Sequence, residues 1–564
     1  MQGVTSTVVF FICLCGLTFF AGLGSPAITD SDEAFYAESA REMVERADWL
    51  TPNFNYTARF EKPILYYWMA AATYFVFGAS SWAARFPSAL AGVGLVLIAY
   101  LCARRWYDNA TAFLAGVISA TSFGAIAMAR QALPDLPLAF FVTLATWAAL
   151  IGLFNPPPGG GVIGVRRMWL ITAAVGTAGA FLVKGPVVLP LLAMVLGPIC
   201  LLEYTLYGTR WRVRAVDVAV ACTIFVIIAL PWYLAMTLEH GVSYLERFFL
   251  TENFDRFATA RYNAPRSFWY YLPIVVGGLL PWSLFMPLWV PSLTNAWRQR
   301  LVDVRAVRLG VWAFAPLMFY TASIGKQPRY ILPILIPLAV LLAHTIVSAL
   351  RTPENRRGLF VCCSIAAGIT IIALGAVVYR ARTLFTEWTG SEPLAVGAAL
   401  AIAGSAILVT ALGSRMKARQ HWIHAIPALL LTATIVAALG AHYVVLATPG
   451  PAPVERMAAM LDAARPHNEP YGRHRVFDRN LVYYVGSPHV ELPIIDAVRD
   501  FLRSPERVLC VLRSEDAARL KREGLTLREI GSVSYLNTGS LTLRMVLNPD
   551  PNRYRQRVVL VTNR

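Results

Sequence analysis

Asp32 and Glu33 sit side by side in Thr29-Asp-Ser-Asp-Glu-Ala-Phe-Tyr-Ala-Glu-Ser-Ala-Arg-Glu-Met43, where Tyr36, Ala40, Met43, Val44 and Ala47 recur at helical spacing. A carboxylate pair in the first turn of an amphipathic helix serves either its own dipole, for about 0.3–1 kcal/mol, or a ligand. Asp135, in Arg130-Gln-Ala-Leu-Pro-Asp-Leu-Pro137, opens a long apolar run. A charge so close to hydrocarbon is expensive, which favours a functional reading. Cations take similar places. Lys62 ends Arg59-Phe-Glu-Lys before Pro63, Lys184 interrupts Leu182-Val-Lys-Gly-Pro186, and Lys326 and Arg329 lie in Gly325-Lys-Gln-Pro-Arg-Tyr330. Lys62 and Lys184 could instead simply snorkel.

The segment 238–267 adds Arg247, Arg256, Arg261 and Arg266, whose forked guanidinium groups suit phosphate. His240 with Glu61 or Glu239 is a candidate pair for a divalent metal, but it lacks HExxH spacing. A hydrogen-bonded or solvated histidine is the commoner case.

The elements that must hold these residues are mostly membrane-embedded. The chain has 564 residues, of which 57% are hydrophobic and 15% charged, with a mean hydropathy of +0.54; soluble domains carry about 25% charged residues. Thirteen apolar runs are expected to span, at about 8–23, 86–103, 109–129, 136–154, 168–183, 186–203, 215–237, 268–290, 309–324, 330–350, 358–379, 393–412 and 422–446. The segment 63–78 is apolar and aromatic but short. Placed flat on the outer surface, it leaves six basic loops on the cytoplasmic side, from Arg104/Arg105 to Arg415/Lys417/Arg419, as the positive-inside rule asks. Counted as a span, it moves all six outside.

The net charge of +17 is therefore read as a topology signal, and no nucleic-acid partner is expected. The eight cysteines contain no CxxC pair, which disfavours disulfides and a thiolate zinc site.

This topology puts a long first loop, 25–85, and everything after residue 448 on the outer side. Beyond the Pro/Gly linker Thr448–Pro453 the composition turns soluble, and a small α/β domain is expected. Its strands are read at 475–484, 508–512, 532–535 and 541–546, and its helices at 453–464 and 514–523. It holds no catalytic motif.

The outer residues together make two or three carboxylates and about five cations at a membrane edge, against the charge rule in the case of Lys326 and Arg329. Such a set suits a substrate whose anionic headgroup is carried on a lipid tail. No P-loop, GxSxG, Cys/His pair or haem motif is present, so the energy of any reaction must be stored in the donor. A sugar linked to a lipid phosphate meets that requirement.

At these residues the chain resembles the bacterial GT-C membrane glycosyltransferases that use polyprenyl-phosphate sugars. The resembling stretches are Asp32–Met43 with Asp48-Trp49, Phe60–Pro63 with Tyr67-Trp68, Pro134-Asp135, Leu182–Pro186 and Gly325–Tyr330. Within that class the chain is most similar to the aminoarabinose transferases that modify lipid A. The resemblance implies an α-helical polytopic membrane protein of about 13 transmembrane helices with a small C-terminal α/β periplasmic domain, in the bacterial inner membrane. It implies an undecaprenyl-phosphate donor of 4-amino-4-deoxy-L-arabinose and a lipid A phosphate acceptor. Asp32 and Asp135 take the catalytic carboxylate places, and Lys62, Arg247, Lys184 and Arg329 hold the donor phosphate. Glu33, Tyr36, Arg59, Lys326 and Tyr330 support them. In metal-dependent members of the class such carboxylates bind a cation, a role that cationic side chains could take here by neutralising the donor phosphate; Glu61 and His240 stay the candidate pair for a divalent metal. A monomer in contact with membrane lipids is expected. Two alternatives stay open: a hexose transferase acting on protein or glycan hydroxyls, and a lipid or sugar transporter. A transporter should show repeat symmetry and polar residues at the midplane, and the sequence displays neither.

Overall fold

A computed structural model describes residues 2–154, 163–164, 166–208, 211–249, 265–299, 303–351, 354–389, 393–415, 423–446, 451–536 and 543–564. Among these, seven helices are long and apolar enough to cross a membrane, or nine if two bent pairs each count as one span. The bent pairs are Asn109–Thr121 with Phe123–Ala129, at 55°, and Phe268–Gly278 with Trp282–Thr294, at 110°. The other apolar runs are helical too: Gln2–Cys15 continuing to Phe20, Arg167–Lys184, Val304–Ala322 and Ala425–Leu446. Small residues let these helices approach closely. A Cβ on Gly368 would lie 2.9 Å from the Gly404 carbonyl, and one on Gly404 would lie 2.8 Å from the Gly368 carbonyl.

The helix Leu65–Phe77 has 13 residues, about 20 Å of length against a hydrocarbon core of ~30 Å. It buries Tyr66, Tyr67, Ala70, Ala71 and Tyr74 and leaves Phe75, Val76 and Phe77 exposed. It packs on the helix Ser31–Glu45 and on the start of the helix Ser81–Trp106. Ser31–Glu45 is N-capped by Asp30, whose Oδ1 accepts from the Asp32 and Glu33 amides at 2.9 and 3.0 Å. A two-stranded hairpin, Asn53–Phe54 against Thr57–Ala58, completes this outer layer.

After the last apolar helix comes an α/β unit with a five-stranded sheet, ordered Val490–Glu491, Tyr471–Arg473, Leu509–Arg513, Arg555–Thr562, Arg528–Leu536. The helices Pro453–Ala464 and Ser514–Arg522 stand where the sequence puts them. The strand expected over 475–484 does not form. The strand stops at Arg473 because Arg475, Phe477 and Arg479 take left-handed backbone, and Asn480–Val485 then turns helical. The strand expected at 541–546 is also corrected: Leu543–Leu547 is helical, and 541–542 lie outside the described residues.

This unit docks on the first loop. The Ile28 amide donates to the Tyr484 hydroxyl at 2.6 Å, and Tyr56 donates to the Gly486 carbonyl at 3.1 Å. Asn55 and the His489 backbone exchange two hydrogen bonds, at 3.0 and 2.9 Å.

Burial, and then the Arg473 guanidinium, push His489 down to about 4. The unfolded chain, with its histidine near 6.5, therefore binds the extra proton between pH 6.5 and 4. This contribution is complete above pH 6.5 and is lost on acidification towards 4, about 3 kcal/mol in all. Glu42, raised to about 8 by burial and by Glu38, acts in the opposite sense. The readout is therefore the difference between wild type and His489→Gln. The melting temperature of the wild type should fall more steeply between pH 6.5 and 4.5, and parallel curves would refute the assignment.

Candidate active site

Five charged side chains from five distant segments form one chain of ion pairs. Lys184, the last residue of the helix Arg167–Lys184, places Nζ 2.6 Å from Asp135 Oδ1. Asp135 begins the helix Asp135–Phe154, and its other oxygen lies 3.1 Å from Arg329 Nε. Arg329 then reaches Asp32 Oδ2 with Nη2 at 2.5 Å. Asp32 Oδ1 lies 3.3 Å from Nη1 of Arg479, which comes from the C-terminal unit.

Local structure explains the placements. Gly185, at φ +85°, ends the Lys184 helix abruptly and leaves the ammonium at its C-terminus. Asp135 and Asp32 stand at helix N-termini. Both arrangements match the sign of the helix dipole. Exposure grades along the chain: the Asp135 side chain is 5% exposed and that of Asp32 41%. A buried carboxylate of this kind is tolerable only with cations against it.

Aromatic rings wall the cluster. The Lys184 ammonium lies 4.4 Å from the Tyr330 ring centre. Tyr36, one turn after Asp32, packs against Tyr66 and Tyr67 with ring centres 5.4 and 5.5 Å apart. Burial, then the charges of Tyr67, Asp135 and Asp32, push its hydroxyl well above the ordinary tyrosine range. Lys62 is close enough to act electrostatically on Asp135. Arg247 is exposed, with its guanidinium 5.8 Å from the centre of the Phe60 ring, two residues before Lys62.

Three expected participants face elsewhere. Glu33 is buried and forked with Arg85, at 2.6 and 3.0 Å, and also accepts from the Ala132 amide at 2.9 Å. It is a structural tie between the first loop and the segment leading to Asp135. Lys326 is buried and donates to the Ser323 carbonyl at 2.6 Å and the Arg266 carbonyl at 3.4 Å, closing the end of the helix Val304–Ala322. Arg59 pairs with Glu61 at 3.6 Å.

For the candidate metal pair, Thr51 Oγ1 lies 2.8 Å from His240 Nε2, and Glu61 faces Arg59. Among the described residues no three His, Cys, Asp or Glu side chains converge. Asp255, Arg256 and Arg261 lie outside the described residues.

Sequence reasoning missed Arg85 and Arg479. Arg85 had a signal, a charge at the edge of an apolar run. Arg479 had none, because only the docking of two distant units brings it to Asp32.

The fold is shared with a solved structure. ArnT from Cupriavidus metallidurans bound to undecaprenyl phosphate superposes with a TM-score of 0.74 over 99% of this chain and 98% of that one, at 22% identity. The family model described as dolichyl-phosphate-mannose-protein mannosyltransferase matches residues 9–240. An undecaprenyl phosphate-alpha-4-amino-4-deoxy-L-arabinose arabinosyl transferase of Pseudomonas aeruginosa is 34% identical over 369 residues, a stretch covering 64% of each chain. A second protein of that name, from Pseudomonas fluorescens, is 32% identical over 434 residues, 75% of this chain and 74% of the relative. The chain belongs to this arabinosyl transferase family. The mannosyltransferase model covers Asp32, Lys62, Asp135, Lys184 and His240. Arg247, Arg329 and Arg479 lie beyond it, so the ion-pair chain joins residues inside that matched segment to residues outside it.

Proposed function

We propose that this family member transfers 4-amino-4-deoxy-L-arabinose from undecaprenyl phosphate to a phosphate of lipid A, on the periplasmic face of the bacterial inner membrane. The observation that carries the reading is the pairing of two carboxylates with Lys184, Arg329 and Arg479, two of the five residues, Asp135 and Lys184, standing at the ends of apolar helices. The arabinosyl transferase relatives support the choice of donor.

In this reading an oxygen of the acceptor phosphate attacks the anomeric carbon of the sugar. The bond from that carbon to the undecaprenyl phosphate oxygen breaks, with inversion, and its electron pair leaves on the phosphate. Lys62, Lys184, Arg329 and Arg247 offset the charge gathering there. The acceptor oxygen is already anionic, so no general base is needed. Asp32 is free to orient the sugar through its ammonium group or to position the acceptor.

Each carboxylate already faces two cations, a donor set made for anions rather than for a divalent ion. The reading therefore has no metal step. Purified protein given lipid A and undecaprenyl-phosphate aminoarabinose should yield lipid A heavier by one aminopentose, with turnover unchanged by chelator. Transfer from a hexose-linked donor instead, or none from the aminoarabinose donor, would sink the assignment.

Orientation has its own check. Ser80 and Asn109 are exposed at opposite ends of the helix Ser81–Trp106. Single cysteines placed there should label from the periplasmic side at position 80 and only after permeabilisation at 109. The reverse pattern would turn the site inward.

A further inference from the structure

Arg479 is held over the site by its neighbours. Arg475, Phe477 and Arg479 all adopt left-handed backbone, at φ 52°, 49° and 62°, which side-chain-bearing residues keep only where the surroundings enforce it. Asp478 pairs with Arg473 at 3.0 Å and accepts from Ser31 Oγ at 3.3 Å. Asn480 Nδ2 donates to the Thr29 carbonyl at 3.0 Å. With both flanking residues tied to the start of the first loop, the Arg479 guanidinium passes 5.2 Å from the Phe35 ring centre and ends 3.3 Å from Asp32.

The cations of the site fall on two sides. Lys62, Lys184 and Arg329 act on Asp135, which is buried. Arg479 does not touch Asp135; it stands at the exposed face of Asp32, with a third of its own side chain exposed. Its ion pair with Asp32 is long, and Arg329 holds the other Asp32 oxygen at 2.5 Å. Arg479 can therefore turn to an incoming anion without leaving that carboxylate unpaired.

We infer that Arg479 binds the phosphate of the acceptor, so that the C-terminal unit contributes the acceptor subsite. The inference rests on the transfer reading above. An acceptor phosphate that reaches the sugar beside Asp32 meets a carboxylate at close range. A cation on the same face removes that repulsion, and a guanidinium fork fits two phosphate oxygens.

The test measures KM for lipid A and for the aminoarabinose donor separately, in wild type, Arg479→Ala, Arg479→Lys and Asn55→Ala. Asn55 makes the docking bonds to His489 and does not contact Asp32. Arg479→Ala should raise the lipid A KM about tenfold or more, as expected for the loss of a charge-assisted contact, while the donor KM stays within about twofold. Arg479→Lys should recover part of the loss. Asn55→Ala should lower the melting temperature and leave both KM values alone. An unchanged lipid A KM in Arg479→Ala overturns the inference. So does an equal rise in both KM values, or a rise in the lipid A KM for Asn55→Ala, since either result marks Arg479 as a structural clamp. Absence of transfer by the wild type would instead overturn the function reading itself.

Discussion

Asp32→Asn should remove most of the turnover and leave the fold intact. The helix Ser31–Glu45 does not depend on this carboxylate, because Asp30 provides the cap. Arg329 keeps Asp135 as a partner when Asp32 is neutral, and the dipole term lost at an exposed position is under about 1 kcal/mol. The melting temperature in detergent should therefore stay close to that of the wild type. Turnover is a different matter. The charge of Asp32 sets the direction of Arg329 on one side and Arg479 on the other, and it faces the proposed reacting sugar. Loss of one preorganised electrostatic contact at a reacting centre costs about 10²–10³-fold in rate. Initial rates of lipid A modification by purified, monodisperse Asp32→Asn protein decide the matter. A rate equal to wild type would remove Asp32 from the reaction.

Glu33→Gln, one residue on, should fail for the opposite reason. Glu33 and Arg85 are both buried, with side chains 5% and 3% exposed. Removing one partner strands a guanidinium, which typically costs 3–5 kcal/mol, roughly. The damage should spread, because Glu33 also receives the Ala132 amide ahead of Asp135. Low yield and a clearly lowered melting temperature are expected. Arg85 Nη1 donates to the Leu23 and Pro26 carbonyls as well, so Arg85→Gln should be at least as harmful. A double-mutant cycle should then show the double variant less damaged than the two losses added together. Additive losses, or a Glu33→Gln protein as stable as wild type, would mean that the pair carries no structural weight.

These neighbouring acids show how far the sequence could be read. Apolar runs and basic loops made the helical architecture legible, because membrane spanning imposes length and composition on each segment separately. Helical spacing placed Asp32 and Glu33 in a first turn. It could not say that one joins a partly exposed chain of ion pairs and the other a buried arginine, since that depends on the path of the helix Ser81–Trp106. Lys326 looked like a ligand residue because it breaks the charge rule, yet closing a helix end on carbonyls explains the same charge. In the C-terminal unit, Arg555–Thr562 escaped notice although it is the strand that joins both halves of the sheet. Within its buried end, Val558–Val561 reads as a continuous apolar run rather than an alternation. The strand expected through Arg479 failed because left-handed backbone at ordinary residues leaves no compositional trace.

The docking of Arg479 on Asp32 also bears on how the protein is made. Synthesis runs from the N-terminus, and domains fold broadly in that order. The helices that carry Asp32, Asp135, Lys184 and Arg329 are finished while the last hundred or so residues are still to come. Through that interval the exposed side of Asp32 lacks the arginine that later pairs with it. The C-terminal unit is thus the part that completes the ion-pair chain of an otherwise assembled helical bundle. A chain cut short before Arg479 would keep Lys184, Asp135, Arg329 and Asp32 and lack the fifth member of their series.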